Sequence, residues 1–479
     1  MVPVLRQKLI GLVRWGRWEY PGPNSSGEVR IVQTVVRRAV ASFAVAAMFV
    51  LMTASPASAQ PGDPDVSFGG GFAYVRTSVG GGLDIANDVV RQPNGRIVVV
   101  GQAIFGDAFD DSDFGVVRYV SNGNPDNTFS GDSRQHTDFG DLGDAAYGVA
   151  LAGQKIVVVG LSNFTATRSK FAAARYRSSG GLDHTFSGDG KARTAFPGYV
   201  TATAFDVAVQ DNGKIVVAGR AAKDDQHLGR SRGGGSESDF ALVRYKSGGV
   251  LDDTFGGDGR VTTDFSGHHD FANYVVLLES GDILVAGSQV TTGGAQRIAL
   301  ARYNSNGTLD DAFGGDGKVV VDMVPGEFEQ AVGLAVRGDG RIVVGAAVNN
   351  GAGAGSQNDI GVLVLKPNGA AEPSFGGGDG IRFVDYGGPD IVSGMTRDSN
   401  GKILFVGSEV GVPQDLLVFR LTGAGAKDNG FGNSGRATMP HADGVGGYGI
   451  TVDAQHRPIA VGRVGSGGDG DFFTCRLQA

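Results

Sequence analysis

The chain of 479 residues is short of the residues that staple or anchor many exported proteins. It has one cysteine, Cys475, so no disulfide can form within the chain and stability must come from packing. Its two tryptophans, Trp15 and Trp18, both lie in the first 59 residues, so the remainder has no indole to stack on a sugar ring. The apolar run at 39–52 is 14 residues, against roughly 20 for a membrane-spanning helix. No useful length of sequence carries helical periodicity. G-x-S-x-G, H-E-x-x-H, phosphate-loop and activated-cysteine contexts are all missing. What is abundant is glycine, 81 residues without a period of three, which describes a chain built from many turns.

The N-terminal region differs in kind from the rest. In "VVRRAVASFAVAAMFVLMTASPASAQ", Arg37 and Arg38 precede the apolar run, and Ala57, Ser58 and Ala59 form a small-residue cleavage site. This pattern predicts an N-terminal extension plus secretory signal over 1–59, cut near Ala59-Gln60, and a secreted or periplasmic product with no membrane span. The remaining 60–479 hold 35 basic and 48 acidic residues, a net charge of −13. Such a chain is a poor partner for nucleic acid or anionic lipid, and a monomer is expected.

Three phrases recur in fixed order over 60–479. A hairpin phrase runs "NGRIVVVG" (94–101), "GQKIVVVG" (153–160), "NGKIVVAG" (212–219), "SGDILVAG" (280–287), "DGRIVVGA" (339–346), "NGKILFVG" (400–407) and "QHRPIAVG" (455–462). A second, typified by "DFALVRY" (239–245), also appears seven times. A third, "LDDTFGGDGR" (251–260) and its variants, places a phenylalanine at 68, 129, 186, 255, 313, 375 and 431. The mean period is about 60 residues. Within a unit, "FDVAVQ" (205–210), "KIVVAG", "DFALVRY" and "GRVTTDF" (259–265) read as four short antiparallel strands joined by glycine turns. Four strands in that length suit a propeller blade. The last unit stops after its third strand, whereas 63–77 supply a third phrase and a fourth strand with no unit before them. The expectation is an all-β, seven-bladed propeller whose ring is closed by the N-terminal strand completing the last blade.

These phrases resemble those of the bacterial delta-60 repeat proteins, whose signature is close to G-x-L-D-x-T-F-G-x-D-G-K…D-G-K-I-V-V-A-G…D-F-x-L-x-R-Y. The resemblance spans 63–479 and implies a β-propeller in an exported bacterial protein, with no implied chemistry. Departures fall in units five to seven: Val364 replaces the arginine, Glu372-Pro373 replaces the aspartate position, and "QHRPIAVG" degrades the hairpin.

A phrase that recurs seven times is a building joint rather than a catalytic set. Asp126, Asp183, Asp252 and Asp310 each stand three residues before Phe129, Phe186, Phe255 and Phe313. The aspartates are expected to cap the turn, the phenylalanines to insert between sheets, and Gly-Asp-Gly to take positive φ. Arg118, Arg175, Arg244 and Arg302 are expected to pair with those aspartates across the blade interface. Calcium on this phrase is the alternative, although its spacing is not that of a calcium loop. Strand parity puts the regular turns on one face and the irregular connections on the other, where binding should concentrate. Candidate binding residues are Lys223, Asp224, Asp225, His227, Arg230 and Arg232, with His268 and His269 of "GHHD". The expected function is a secreted, non-enzymatic scaffold binding a protein or polysaccharide through that face, without cofactor. The rivals are a hydrolase or lyase using His268 or His269 in the central channel, and a calcium-dependent adhesion module.

Overall fold

β-Branched runs separated by glycine turns leave the chain few alternatives to short, twisted, antiparallel strands, and 28 strands form among the described residues. The computed structural model describes residues 59–479 apart from 107–110, 141, 166–167, 224–236, 266–267, 350–357, 388–389, 410–413 and 466–469. The strands assemble into seven four-stranded antiparallel sheets, six of them in chain order from the axis outward and the seventh with the first strand of the chain as its outermost. The innermost strands are Ile85–Arg91, Asp144–Ala152, Thr201–Val209, Asp270–Leu277, Glu329–Val336, Asp390–Arg397 and Val445–Val452, and the sheets they open are numbered here as blades one to seven. Each innermost strand packs on the next, and the seventh on the first, so the ring is closed.

Closure uses both chain ends. Tyr74–Thr77 pairs with Asp471–Arg476 in the register Tyr74↔Cys475 to Thr77↔Phe472 and becomes the outermost strand of blade seven. Phe68 and Phe472 share one buried cluster. Cys475 is buried among apolar neighbours in the cluster beside it.

There is no single core. Seven apolar clusters form, one at each blade interface, drawing for example on Val157, Phe171 and Phe186 of blade two and Val217, Ala241 and Tyr245 of blade three. The third strand of a blade is therefore buried on both faces, and every residue of Ser238–Tyr245 is buried.

The innermost strand of blade three differs from its sequence reading. "FDVAVQ" belongs to a longer strand, Thr201–Val209, and a β-bulge at Phe205 breaks its alternation. The same irregularity occurs in all seven blades, setting aside Asn87, Tyr147, Phe205, Asn273, Val332, Ser393 and Tyr448 from the ladder. An extra residue at a bulge re-aims a side chain, and all of these except Val332 line the axial channel. The bulge also explains the glycine that ends the hairpin phrase. A Cβ on Gly219 would lie 2.0 Å from the Thr203 carbonyl oxygen, and one on Gly101 1.9 Å from that of Ile85.

Candidate functional site

The repeated phrases meet at a joint on the regular face. In blade one, Arg118 Nε donates to Asp126 Oδ2 (2.8 Å) and Arg96 Nε to the same oxygen (2.6 Å). Asp126 Oδ1 accepts from the Thr128 amide (3.1 Å) and hydroxyl (2.6 Å), an Asx turn. The Arg118 guanidinium lies 4.7 Å over the Phe129 ring, and its Nη1 donates to the Ser178 carbonyl of blade two (2.5 Å). Arg175 with Asp183, Arg244 with Asp252 and Arg302 with Asp310 repeat the ion pair at 2.7–2.8 Å. The pairing therefore lies within a blade, and what crosses the interface is the bond from arginine to the next blade's turn carbonyl. The phenylalanine is clamped from the other side by a turn glycine of the next blade. Gly307, at φ +89°, would bring a Cβ to 2.9 Å from the Phe255 ring.

These donors and charges dominate the carboxylates despite the opposing effect of burial. Asp126 is held at about 2 by Thr128 and Arg96, with Arg118 adding to the effect. Asp183 and Asp252 are lowered further, with Lys155 and Lys214 contributing. Both Asp252 oxygens already accept, Oδ2 from Arg244 and Oδ1 from Thr254. A cation would have to displace an arginine there.

On the irregular face, Asp224, Asp225, His227, Arg230 and Arg232 lie outside the described residues. Lys223 closes the base of their connection: its Nζ is 2.5 Å from Glu237 Oε2. His268 Nε2 lies 2.9 Å from Thr292 Oγ1, and His269 Nδ1 is 3.3 Å from Ser238 Oγ with its ring stacked near Phe271. Neither histidine lines the channel or its mouth, which removes them from the channel site that the hydrolase reading required.

The structure instead brings together residues the sequence reading passed over. A cavity of about 710 Å³ opens on the irregular face across blades one to five, within the usual range for ligand pockets. Tyr147, Phe205, Phe271 and Phe328 supply aromatic surface to its wall, and Gln102, Asn163, Asn273, Gln296 and Gln330 supply amides. Tyr147 and Phe205 lie 5.8 Å apart between ring centroids. Arg220 lies 5.2 Å over the Phe271 ring. Burial lowers its pKa, and among the described residues no carboxylate pairs with it. Asn273 Oδ1 is buried and accepts no hydrogen bond. Among the described residues no Asp, Glu or His lines this cavity.

Below it, the narrower channel of about 350 Å³ shares Tyr147, Phe205 and Asn273. Two acids stand in its wall, and each ties its blade to the next. Asp88 Oδ2 accepts from the Val149 amide (2.9 Å) and Asp206 Oδ2 from that of Val275 (2.8 Å). Burial raises Asp88 to about 7 and Asp206 to about 6. Both acids are occupied with backbone donors, so they brace the ring. The only sequence signal for the cavity was the break in alternation at the bulge.

Five stretches, residues 92–129, 155–186, 210–255, 279–313 and 337–375, match the family model described as "Domain of unknown function (DUF5122) beta-propeller". Each stretch ends on the phenylalanine of the third phrase, and the chain is a β-propeller repeat protein. No curated protein matches it. Among solved structures it is similar to a protein of unknown function from Dyadobacter fermentans (13% identity, 85% of this chain and 97% of that one, TM-score 0.43). It is also similar to an ulvan lyase of polysaccharide lyase family 25 (9%, 83% and 95%, 0.47), and to an endo-arabinanase from Bacillus licheniformis (13%, 65% and 95%, 0.32).

Proposed function

We propose that this protein is an exported, non-enzymatic propeller that binds a polysaccharide segment in the irregular-face cavity. The observation that carries the reading is Arg220, stacked on Phe271 in a wall of aromatics and amides and without a carboxylate partner among the described residues. A guanidinium with its fork free is suited to a carboxylate or to paired hydroxyls of a sugar, and half-buried aromatic rings offer platforms for pyranose faces. The unsatisfied Asn273 Oδ1 supplies an acceptor for a ligand hydroxyl. Among the described residues of the wall there is no Asp, Glu or His to form a carboxylate pair for glycoside hydrolysis, which favours binding over cleavage. The signal pattern around Arg37 and Arg38 supports export, and the three phrases support reading the units as delta-60 repeats. No helix among the described residues is long and apolar enough to cross a membrane.

Titration of the full chain against a panel of neutral and uronic-acid polysaccharides tests this. Binding that falls at least about tenfold in Arg220→Ala and in Phe205→Ala, with an unchanged circular dichroism spectrum, is expected. Binding indifferent to both substitutions, or new reducing or unsaturated ends appearing on the bound polysaccharide, would overturn it.

A further inference from the structure

We propose that two acidic triads on the irregular face, Asp113–Asp138–Asp144 and Asp239–Asp264–Asp270, each bind a hard divalent cation of the calcium class and so staple one blade to the next. Within each triad one oxygen per carboxylate lies within 4.8 Å of the other two. Oxygens sharing a calcium ion at about 2.3–2.6 Å can be no more than about 5 Å apart, so the spacing fits a common ion.

Each triad draws on two blades. Asp239 sits in the third strand of blade three, Ser238–Tyr245, and Asp264 just follows its outermost strand, Arg260–Thr263. Asp270 opens the innermost strand of blade four. Asp113, Asp138 and Asp144 occupy the same three positions between blades one and two.

An independent observation is the incomplete satisfaction of the deepest acid. Asp270 is 0% exposed, its Oδ2 accepts from the Phe265 amide (2.7 Å), and its Oδ1 has no donor. Asp144, 1% exposed, has Oδ2 on the Phe139 amide and no well-formed bond to Oδ1, although the Ser162 hydroxyl stands close enough to act on its carboxylate. Buried carboxylate oxygens are normally satisfied. The outer acids are partly held: His136 Nδ1 is 2.6 Å from Asp113 Oδ2, and the Tyr199 hydroxyl donates to Asp239. Neither contact reaches the bare oxygens.

The ring contains its own comparison. Between blades four and five, Arg297 takes the place of Asp239, with Asp322 and Glu329 in the places of Asp264 and Asp270. There Arg297 Nε lies 2.9 Å from Asp322 Oδ2, so a side chain supplies positive charge to the outer acid, while Glu329 Oε2 stays without a donor as Asp270 Oδ1 does; what distinguishes the triads is the third carboxylate in place of the arginine. Between blades two and three the same positions read Lys170, Ala195 and Thr201, with no acid to neutralise. At these two joints the third-strand position is acidic and three carboxylates converge; Lys223 and Lys318 act on the second triad and His136 on the first, and a shared cation would supply the charge that these groups leave unbalanced.

Calorimetric calcium titration and melting of the full chain, in calcium against chelator, test the proposal. Asp138→Asn and Asp264→Asn alter exposed acids, and each should remove one calcium site. The sequence also puts Asp359, Asp385 and Asp390 at these positions, so the decisive reading is one site lost per substitution. Millimolar calcium should raise the melting temperature by about 2 °C or more, and the double variant should lose most of that rise. Asp239→Arg, copying blade four, should abolish one site while raising the melting temperature in chelator. No calcium uptake and no shift at millimolar concentration, or a site number unchanged in the double variant, would overturn the proposal.

Discussion

Replacing Tyr245 by Phe removes one hydroxyl from the interface of blades two and three, and its effect can be worked from the structure. The Tyr245 and Thr194 hydroxyls lie 2.6 Å apart, with both residues buried, and burial pushes the phenol up to about 12. The bond joins the end of one blade's outermost strand to the third strand of the next. Thr77 with Tyr119, Thr137 with Tyr176 and Thr263 with Tyr303 repeat it at 2.7–2.8 Å. Further round the ring the pair changes together: Leu365, Leu421 and Leu477 replace the tyrosine, and Val321, Val384 and Met439 replace the threonine. These pairs share apolar clusters, so the joint exists in a hydroxyl version and a dry version.

A buried hydroxyl left without a partner costs about 1–3 kcal/mol, whereas removing both partners can be nearly neutral. Tyr245→Phe and Thr194→Val should therefore each lower stability by about 1–2 kcal/mol. The double variant should lose less than the sum by a coupling of about 1–2 kcal/mol. Urea denaturation read as midpoint shifts at constant m-value measures all three. Single-variant losses that simply add in the double variant would refute the pairing.

The other joint gives an asymmetric expectation. Asp252→Ala strands Arg244, whose side chain is 4% exposed, and should cost about 3–5 kcal/mol. Arg244→Val leaves Asp252 to Lys214, 2.8 Å away, and should cost at least about 1 kcal/mol less; denaturation that ranks them the other way refutes the account. Two sets of acids make stability depend on pH in opposite senses. Turn acids such as Asp126, lowered to about 2, stabilise fully above about pH 4, and that stability is lost as pH falls through the folded value. Asp88 and Asp206, raised to about 7 and about 6, contribute stability that is complete below about pH 4 and is lost as pH rises through those values. In chelator the melting temperature should peak between about pH 4 and 6, and Asp206→Asn should flatten its decline towards pH 8; a maximum above pH 7 would contradict the assignment.

The architecture was legible because a period of about 60 residues survives substitution, and because the split final unit pointed to ring closure. The joint was partly legible. Alternation put Arg244 beside core positions, but the actual arrangement needed the turn geometry that folds Asp252 back onto the preceding strand. Val364 and Glu372 looked like decay of the repeat. The longer Glu372 in fact reaches Arg341 (2.6 Å) and keeps the turn bond to Ser374, so one end of the joint is rebuilt after the arginine is lost. The paired change of tyrosine and threonine stood in the sequence as well, and became readable once blade n was known to present its outermost strand to blade n+1. The cavity was the least visible. Binding was expected on long connections, whereas Arg220, Tyr147 and Phe205 sit on strands, two of them placed by a bulge that shifts the period-two pattern.

Why recognition should fall on one face follows from how the repeats consume their charges. On the regular face every unit must present a carboxylate to the basic groups of the joint. In blade one, Arg118 and Arg96 are both spent on Asp126, and the demand recurs around the ring as far as Arg476 on Asp65. That face is neutralised by its own construction, and a ligand binding there would compete with the bonds that hold the blades. The opposite ends of the strands carry no such obligation, so their residues are free to differ between units. That freedom is visible in Asn87, Tyr147, Phe205 and Asn273 at one repeated position, and in Asp113, Lys170, Asp239 and Arg297 at another. Several unsatisfied groups lie toward that side: Arg220 without a carboxylate among the described residues, and Asn273, Asp144 and Asp270 with bare oxygens, against Gln92, Gln210 and His456 at the regular turns. In a ring assembled from near-identical parts, groups that the assembly leaves unsatisfied are the ones available to a ligand.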